Sequence, residues 1–149
     1  MLESTHPGRE LPMALRAAYM ALHRSTEAAL DEHGVSADQF VLLLALSEGQ
    51  ALTQRELAGR ISSDPSTVRA MLVLLERAGL VERCTHPTDS RAKSVSLTTA
   101  GKRKIRSLWR SGQPIRDDMY ACMTSNEATT LITLLRRIAN SLQIDHAVV

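Results

Sequence analysis

Two helix starts that stand close together in the middle of the chain constrain its fold more than any other feature. Thr53, followed three residues later by Glu56, is a capping box, and Asp64 before Pro65 is an N-cap with proline at the first helical position. Gly79 provides a C-terminal stop for the second of these helices. The pattern predicts a short helix and a longer helix joined by a tight turn.

The longer of these helices has two different faces. At 100° per residue its apolar residues collect on one side, which carries Val68, Met71, Leu72 and Leu75. The opposite side carries Ser66, Arg69, Ala70, Val73 and Arg77. The second helix of a helix-turn-helix motif lies in the major groove of DNA, so this opposite side is the candidate DNA-binding face.

The residue types on that face suit DNA contacts. Arg69 can bind guanine O6 and N7 bidentately, and Ala70 and Val73 suit thymine methyl groups. Ser66 and Thr67 lie in the first turn, where hydroxyls and free backbone N–H groups can meet phosphates. The candidate DNA contacts in the two helices and their turn are Thr53, Ser63, Ser66, Thr67, Arg69, Ala70, Val73 and Arg77. For Val73 and Leu74, packing against a neighbouring element is the alternative.

After Gly79 the sequence changes from a helical to an alternating pattern. Leu80–Thr85 and Lys93–Leu97 are predicted strands, and the residues between them have the composition of a hairpin turn. Arg91 at the tip suits a narrow minor groove, Asp89 can orient its guanidinium, and Lys93 can bind a phosphate. The alternative is an exposed salt bridge within the turn.

Helical periodicity flanks this central region on both sides. An amphipathic helix is predicted from Pro12 to about Glu32, and a mostly buried one follows the capping box of Ser36 and Gln39. The fold class is therefore mainly α with a small β-hairpin wing, a winged helix-turn-helix with flanking helices.

On the C-terminal side, Thr98 or Thr99 caps a long helix that contains Pro114. Proline inside a helix predicts a kink near Gly112, with a break into two helices as the alternative. A final helix begins at Thr124 and carries a stripe of leucines.

Composition limits the class of protein. A chain of 149 residues is expected to form a single domain that buries ~68–70% of its unfolded surface. No apolar run approaches the roughly 18 residues of a membrane span, and the segment Met1–Pro12 is polar, so we expect a cytoplasmic protein without a membrane partner. Two cysteines make neither a disulfide framework nor a zinc site of four cysteines.

Positive charge is concentrated in the middle of the chain. Between Leu52 and Arg110 there are 12 lysines and arginines against 5 acidic residues, a net charge of +7, whereas the remainder carries −5. A local basic excess indicates a nucleic-acid partner, with a solvated surface as the alternative.

Four segments together resemble the MarR family of bacterial transcription regulators. In order they read LTQRELA at 52–58, DPSTV at 64–68, LERAGLVER at 75–83 and PTDSRAKSVSLTTAG at 87–101. The Asp-x-Arg wing followed by Leu-Thr and a glycine is the most specific of these signals. The resemblance covers about residues 36 to 101, and the flanking helices fit the order of elements in the family.

The resemblance implies a winged-helix homodimer. Residues 36–98 would form the DNA-binding lobe, and the helices at 11–34 and 99–145 would form the dimer interface. Arg91 would contact the minor groove. Family members commonly have Thr-Arg where this chain has Arg69-Ala70, and polar residues where it has Val73 and Leu74, so the operator sequence does not follow from the resemblance.

Regulators of this family respond to oxidants, metals or small aromatic acids. Cys84 lies between Arg83 and His86, which can lower a thiol pKa, although a buried strand cysteine is the alternative; Cys122 is interpreted as interface or core. The five histidines show no metal-ligand spacing, so neither a metal nor another cofactor is expected.

A small-molecule effector, such as an aromatic carboxylate, fits the residues better. In this fold ligands tend to bind where the first helix and the helix after the wing converge. The candidate ligand-binding residues there are Tyr19, His23, Arg24, Trp109 and Arg110. Core or interface packing is the alternative for the three aromatic ones.

The function predicted from the sequence is a homodimeric transcription regulator that binds double-stranded DNA. We expect a repressor that a small ligand releases from a pseudo-palindromic operator. The alternatives are a protein-interaction module without sequence-specific DNA binding, and a thiol-responsive regulator that uses Cys84. We do not expect an enzyme, because the sequence shows no catalytic grouping and no glycine-rich phosphate loop.

Overall fold

The computed structural model describes residues 6–85 and 93–144. In chain order the first elements are α1 Glu10–Leu30, a 3₁₀ turn Asp31–His33, α2 Ala37–Leu46, β1 Leu52–Thr53, α3 Gln54–Arg60 and α4 Pro65–Arg77. They are followed by β2 Val81–Thr85, β3 Lys93–Leu97, α5 Thr99–Ser111, α6 Gln113–Ala121 and α7 Ser125–Ile144. The mainly helical fold with a small antiparallel sheet confirms the predicted class.

Side-chain caps begin five of the helices at the predicted residues, whereas α1 begins at Glu10 without a side-chain cap. Ser36 and Gln39 form a reciprocal capping box at α2, and Thr53 and Glu56 form another at α3. The Asp64 carboxylate accepts a hydrogen bond from the Thr67 backbone N–H at the start of α4. Equivalent caps by Thr98 at α5 and Thr124 at α7 complete the set. Local capping chemistry thus decides where these elements start.

The sheet has one strand more than the sequence predicts. Its order is β1-β3-β2, with both pairs antiparallel, Leu52 opposite Val95 and Val81 opposite Leu97. Two residues are too few to show an alternating pattern, so β1 was missed. Because β3 lies in the centre, β2 is an edge strand and is exposed beyond Val81.

The helix after the wing is broken rather than kinked. Helix α5 ends at Ser111, the Gly112 N–H donates to the Leu108 carbonyl oxygen at 3.1 Å, and α6 begins at Gln113. Pro114 has no N–H with which to continue the ladder of helical hydrogen bonds. The break, and not the kink, is the correct one of the two sequence predictions.

Contacts divide the chain into two compact units, residues 1–112 and 113–149. The single-domain organisation expected from the chain length stays a prediction. In the first unit the core contains leucines from five helices, among them Leu30, Leu42, Leu57, Leu72 and Leu108. In the second unit α6 and α7 keep most of their apolar side chains exposed.

Gly101 in α5, the last residue of the MarR-like segment at 87–101, has a structural role. A Cβ atom on Gly101 would overlap the carbonyl oxygen of Leu80, which precedes β2. The Thr98 hydroxyl also donates to the Gly79 carbonyl oxygen at 2.6 Å. The start of α5 therefore lies directly against the chain that leaves α4, and a side chain at position 101 would separate them.

Candidate nucleic-acid interface

The turn between α3 and α4 has a defined geometry. Ser62 adopts a left-handed conformation with φ 53°, and the Ser63 N–H donates to the Ala58 carbonyl oxygen at 2.9 Å. The Gln54 side-chain amide donates to the Pro65 carbonyl oxygen at 3.2 Å. The beginning of α3 is thereby tied to the beginning of α4, which positions the second helix of the motif.

Helix α4 separates its two faces as the sequence predicts. Val68, Met71, Leu72 and Leu75 are buried in the core. The candidate contacts on its other face are all exposed, and they are Ser66, Thr67, Arg69, Ala70, Val73 and Arg77. Val73 and Leu74 are 37% and 53% exposed, so the described part of the chain covers them only in part. The predicted contact of Val73 with DNA stays a prediction, and the described part of the chain buries neither side chain fully.

The first turn of α4 is organised around one carboxylate. Asp64 Oδ1 accepts hydrogen bonds from the Ser66 hydroxyl at 2.5 Å and the Thr67 N–H at 2.8 Å, and Oδ2 accepts from the Thr67 hydroxyl at 2.6 Å. These bonds, that of the Ser66 hydroxyl first, hold the pKa of Asp64 far below its ordinary value. The protein therefore presents an ionised Asp64 at neutral pH.

This arrangement changes what the two hydroxyls can offer to DNA. Each hydroxyl of Ser66 and Thr67 has one proton, and Asp64 accepts it. The remaining lone pairs of these oxygens form no hydrogen bond with a phosphate oxygen, which is itself an acceptor. They can accept a hydrogen bond from a base amino group. The phosphate contacts predicted from the sequence would require these hydroxyl protons to leave Asp64, and they stay a prediction.

The other predicted DNA contacts have different surroundings. Thr53 is half-buried, and its hydroxyl accepts the Glu56 N–H at 3.1 Å as the cap of α3. Ser63 is half-buried in the turn, and Lys93 is exposed at the start of β3 opposite Thr85. Asp89 and Arg91 lie outside the described residues. Their predicted roles in the wing stay predictions.

An ion pair that the sequence analysis missed connects α4 with the wing. Arg83 Nε lies 2.8 Å from Glu76 Oε2, which joins β2 to the last turn of α4. Arg60 similarly pairs with Glu48 at 2.9 Å. Within residues 6–85 and 93–144, no ion pair occupies Arg69 or Arg77. Exposed positive charge thus remains on the candidate face, while its acidic neighbour Glu76 is neutralised.

Three of the predicted ligand-binding residues lie on α1. The rings of Tyr19 and His23 are 5.9 Å apart between centroids, and His23 Nε2 is 3.8 Å from Glu27 Oε1. Glu27 also accepts the Ala37 N–H at 2.7 Å, which links α1 to the start of α2. Arg24 is exposed. The structure thus brings Tyr19 and His23 together.

The other two predicted ligand-binding residues lie on α5. Trp109 is 44% exposed, and its ring centroid is 6.4 Å from that of Phe40 in α2. Arg110 is exposed next to it in the sequence. Phe40 was not among the predicted site residues, because the apolar run of α2 indicated burial alone. The aromatic neighbour of Trp109 thus comes from α2.

A polar clamp near α5 was also missed by the sequence analysis. His33 Nε2 lies 2.8 Å from Ser111 Oγ, and Lys104 Nζ donates to the His33 carbonyl oxygen at 2.9 Å. These contacts attach the 3₁₀ turn after α1 to α5. They join residues 71 and 78 positions apart, which sequence spacing does not reveal.

The interpretation of Cys84 as a buried strand residue is wrong, and Cys122 does not lie in the core. Cys84 and Cys122 are both exposed. Cys84 lies on edge strand β2, with Sγ 3.6 Å from Ser94 Oγ and 3.9 Å from Ser96 Oγ. An edge strand has a neighbouring strand on one side only, which explains the exposure of Cys84. The predicted place of Cys122 in an interface stays a prediction.

Two other features are absent from the described part of the chain. Over residues 6–85 and 93–144, no cluster of three histidine, cysteine or acidic residues is arranged to hold a metal ion. Over the same residues, no helix has the length and apolarity needed to cross a membrane.

Comparison with known proteins identifies the kind of motif. A sequence model of a protein family, described as MarR family, matches residues 35–93 of this chain. An uncharacterized HTH-type transcriptional regulator of Bacillus subtilis (strain 168), YdcH, is 31% identical over 106 residues, 68% of this chain and 69% of YdcH. Another from the same organism, YdgJ, is 29% identical over 109 residues, 73% of this chain. That match spans 66% of YdgJ, slightly less than two thirds of its length.

A solved structure extends the similarity to the whole fold. A mutant of MarR from E. coli complexed with operator DNA has a TM-score of 0.77 to this chain at 27% identity. The alignment covers 86% of this chain and 92% of that one. These relatives therefore indicate the same kind of protein as the sequence motifs do. The arrangement of α3, α4 and the sheet agrees with both.

Proposed function

The chain belongs to the MarR family of DNA-binding transcription regulators, and we propose that it is a homodimeric repressor of a pseudo-palindromic operator. The observation that carries this proposal is the surface of α4. Its candidate DNA-binding face is exposed with Arg69 and Arg77 unpaired among the described residues, while its opposite face is buried. That division suits a helix that enters the major groove.

Exposed apolar side chains support the homodimer. Helix α1 exposes Leu11, Met13, Leu15, Tyr19 and Leu22. Helix α7 exposes Leu131, Ile132, Leu134, Leu135 and Leu142. Exposed apolar residues at helical spacing are typical of a protein interface, and a second copy of the chain is the partner that the family suggests. Two copies would place their α4 helices on half-sites ~10 bp apart.

Selection of bound sequences from a pool of random duplex DNA at ~0.15 M salt tests the proposal. A pseudo-palindromic motif is the expected result. Arg69→Ala should relax the preference at one base step, whereas Arg91→Ala should weaken binding to all sequences alike. A folded protein that enriches no motif would instead be a winged-helix interaction module. A reporter gene behind the selected operator then distinguishes repression from activation.

Control by a small aromatic acid is the second part of the proposal. The aromatic pair Trp109 and Phe40 and the exposed Arg110 offer a stacking surface beside a cation. Tyr19 and His23 with Arg24 offer similar chemistry on α1. A ligand releases DNA only if it binds more tightly to the dimer geometry that does not fit the operator.

The chain contains one tryptophan, so its fluorescence reports on this region directly. Benzoate and 4-hydroxybenzoate are suitable probes, and saturable quenching with release of operator DNA is the expected result. Arg110→Ala should weaken the quenching, and Arg103→Ala on the same helix is the matched control. Quenching that leaves operator affinity unchanged would mean that the acid binds without controlling the protein.

One observation keeps a thiol response as a second candidate for control. Cys84 is exposed on the wing strand β2, near two serine hydroxyls. A mild peroxide should then weaken operator binding by the wild-type protein and spare Cys84→Ser. Equal sensitivity of Cys84→Ser and wild type would exclude this route.

A further inference from the structure

The exposed face of α4 has an apolar centre between two cations. Residues four apart lie one above the other on a helix, so Arg69, Val73 and Arg77 form one ridge, about 12 Å from first to last. Ala70 and Leu74 lie on the neighbouring ridge by the same spacing. The centre of the face is therefore apolar, and arginines stand at both ends of one ridge.

This apolar centre is not needed for the core. Val73 is 37% exposed and Leu74 is 53% exposed, whereas Val68 and Leu72 on the other side of α4 are fully buried. A shallow groove at the surface is lined by Val73 together with Glu76 and Arg77. The exposed aliphatic groups are thus free to contact something outside the chain.

The charges around the centre indicate what that contact is. Glu76 is paired with Arg83 at 2.8 Å, so the acid nearest to Val73 on this face is neutralised. Arg69 and Arg77 have no ion-pair partner in the described part of the chain. A duplex presents phosphates at the rims of its major groove, and guanine acceptors and pyrimidine C5-methyl groups at its floor. Cations that flank a methyl-sized apolar surface match that arrangement better than they match a protein helix.

We propose that Val73 is a specificity-determining residue that contacts the C5-methyl group of a pyrimidine in the major groove. The group is that of thymine, or of 5-methylcytosine in its place, with Ala70 beside it. The inference rests on the proposed DNA-binding function. Where a C·G pair stands at this position of an operator, methylation of the cytosine then increases affinity.

The test begins with the operator obtained by selection from random DNA. Each thymine of one half-site is replaced by deoxyuridine in turn, which removes only the C5-methyl group. Affinity is measured by fluorescence anisotropy at fixed salt. One position should lose about fourfold, the effect expected for burial of one methyl-sized group.

Variants of the protein identify the side chain that makes the contact. In Val73→Ala the wild-type operator should bind more weakly, and the deoxyuridine effect at that one position should disappear while any others remain. Val73→Thr, which keeps the size of the side chain, controls for changes of shape. Val41→Ala removes the same atoms from a valine of α2 that is 42% exposed, and should leave every affinity unchanged.

A second substitution tests the methyl group in another base. The responsive T·A pair is replaced by C·G, and by C·G that carries 5-methylcytosine. The methylated duplex should bind the wild-type protein about fourfold more tightly than the unmethylated one, and Val73→Ala should not distinguish them.

The outcomes separate the inference from the function on which it rests. A selection without any motif overturns both. A clear motif with no thymine that responds to deoxyuridine, or a response that persists in Val73→Ala, overturns the inference and leaves the DNA-binding function intact. A change in oligomeric state in Val73→Ala would show that the face binds protein instead, and would also overturn it.

Discussion

Helices α4 and α7 are both amphipathic, yet they dispose of their apolar residues in opposite ways. In α4 four of the apolar residues are at most 9% exposed. In α7, Leu131, Ile132, Leu134 and Leu135 are 39–42% exposed, and Ala128 is the one buried residue among its described side chains. The core of the chain therefore buries the apolar side of α4 and leaves most apolar side chains of α7 exposed. Residues exposed on α4 are available for DNA, whereas those exposed on α7 point to a protein partner.

The largest expected effect follows from breaking the buried side of α4. Leu72 is fully buried and Leu74, two residues away, is 53% exposed. Leu72→Ala should lower the free energy of unfolding by about 2–5 kcal/mol because it leaves a cavity in the core. The matched variant Leu74→Ala should change it by less than about 0.5 kcal/mol. Urea denaturation monitored by circular dichroism measures both, and equal losses would contradict the division of faces.

The next effect concerns the exposed side of α7. Leu134→Glu should convert a dimer, at twice the chain mass of 16.4 kDa, into a monomer, because a carboxylate does not enter an apolar interface without a large desolvation cost. Analytical ultracentrifugation measures the mass, and operator affinity should fall with it. Thr129→Glu adds the same charge to an exposed polar position on the opposite side of α7 and is the control. A wild-type protein that sediments as a monomer would remove the basis of the homodimer.

The fold of these helices could be predicted because its signals are local. Capping boxes, the N-cap Asp64 and the stop at Gly79 are written within a few residues, and each stands where the sequence predicts. The third strand β1 was missed because only two residues form it. The family resemblance supplied the glycine at position 101, but only the structure shows the Leu80 carbonyl that requires it.

The candidate site was less predictable because its details depend on distant contacts. Helical spacing identified the exposed face of α4, but the pairing of Glu76 with Arg83 requires β2 to fold back alongside α4. The hydrogen bonds that the Ser66 and Thr67 hydroxyls donate to Asp64 depend on side-chain orientation, which the sequence does not give. The burial of Cys84 was misjudged, because alternation along a strand does not reveal which strand forms the edge.

A smaller effect should come from the arginines on the exposed side of α4. Arg69→Ala and Arg77→Ala should each weaken operator binding by about 1–3 kcal/mol. Where the arginine contacts a phosphate, the slope of log affinity against log salt concentration should also fall by about one. Arg60→Ala is the matched control, since Arg60 already pairs with Glu48 at 2.9 Å. Titrations at several salt concentrations measure the slope. Three variants with equal affinity and slope would mean that α4 does not face the DNA.

The smallest effect is a pH dependence of stability that differs between the starts of α4 and α7. The Thr124 backbone N–H, and then its hydroxyl, lower the pKa of Glu127 at the start of α7, as hydrogen bonds lower that of Asp64 at the start of α4. A lowered folded-state pKa means that each carboxylate stabilises its helix above its ordinary pKa and loses that contribution as the pH falls. In Glu127→Gln the capping box persists without a charge, so its urea midpoint should depend less on pH between ~6 and ~3 than that of wild type. Asp64→Asn should differ from wild type down to a lower pH, because the pKa of Asp64 is lowered further. Parallel pH profiles for wild type and Glu127→Gln would show that Thr124 does not hold the carboxylate in solution.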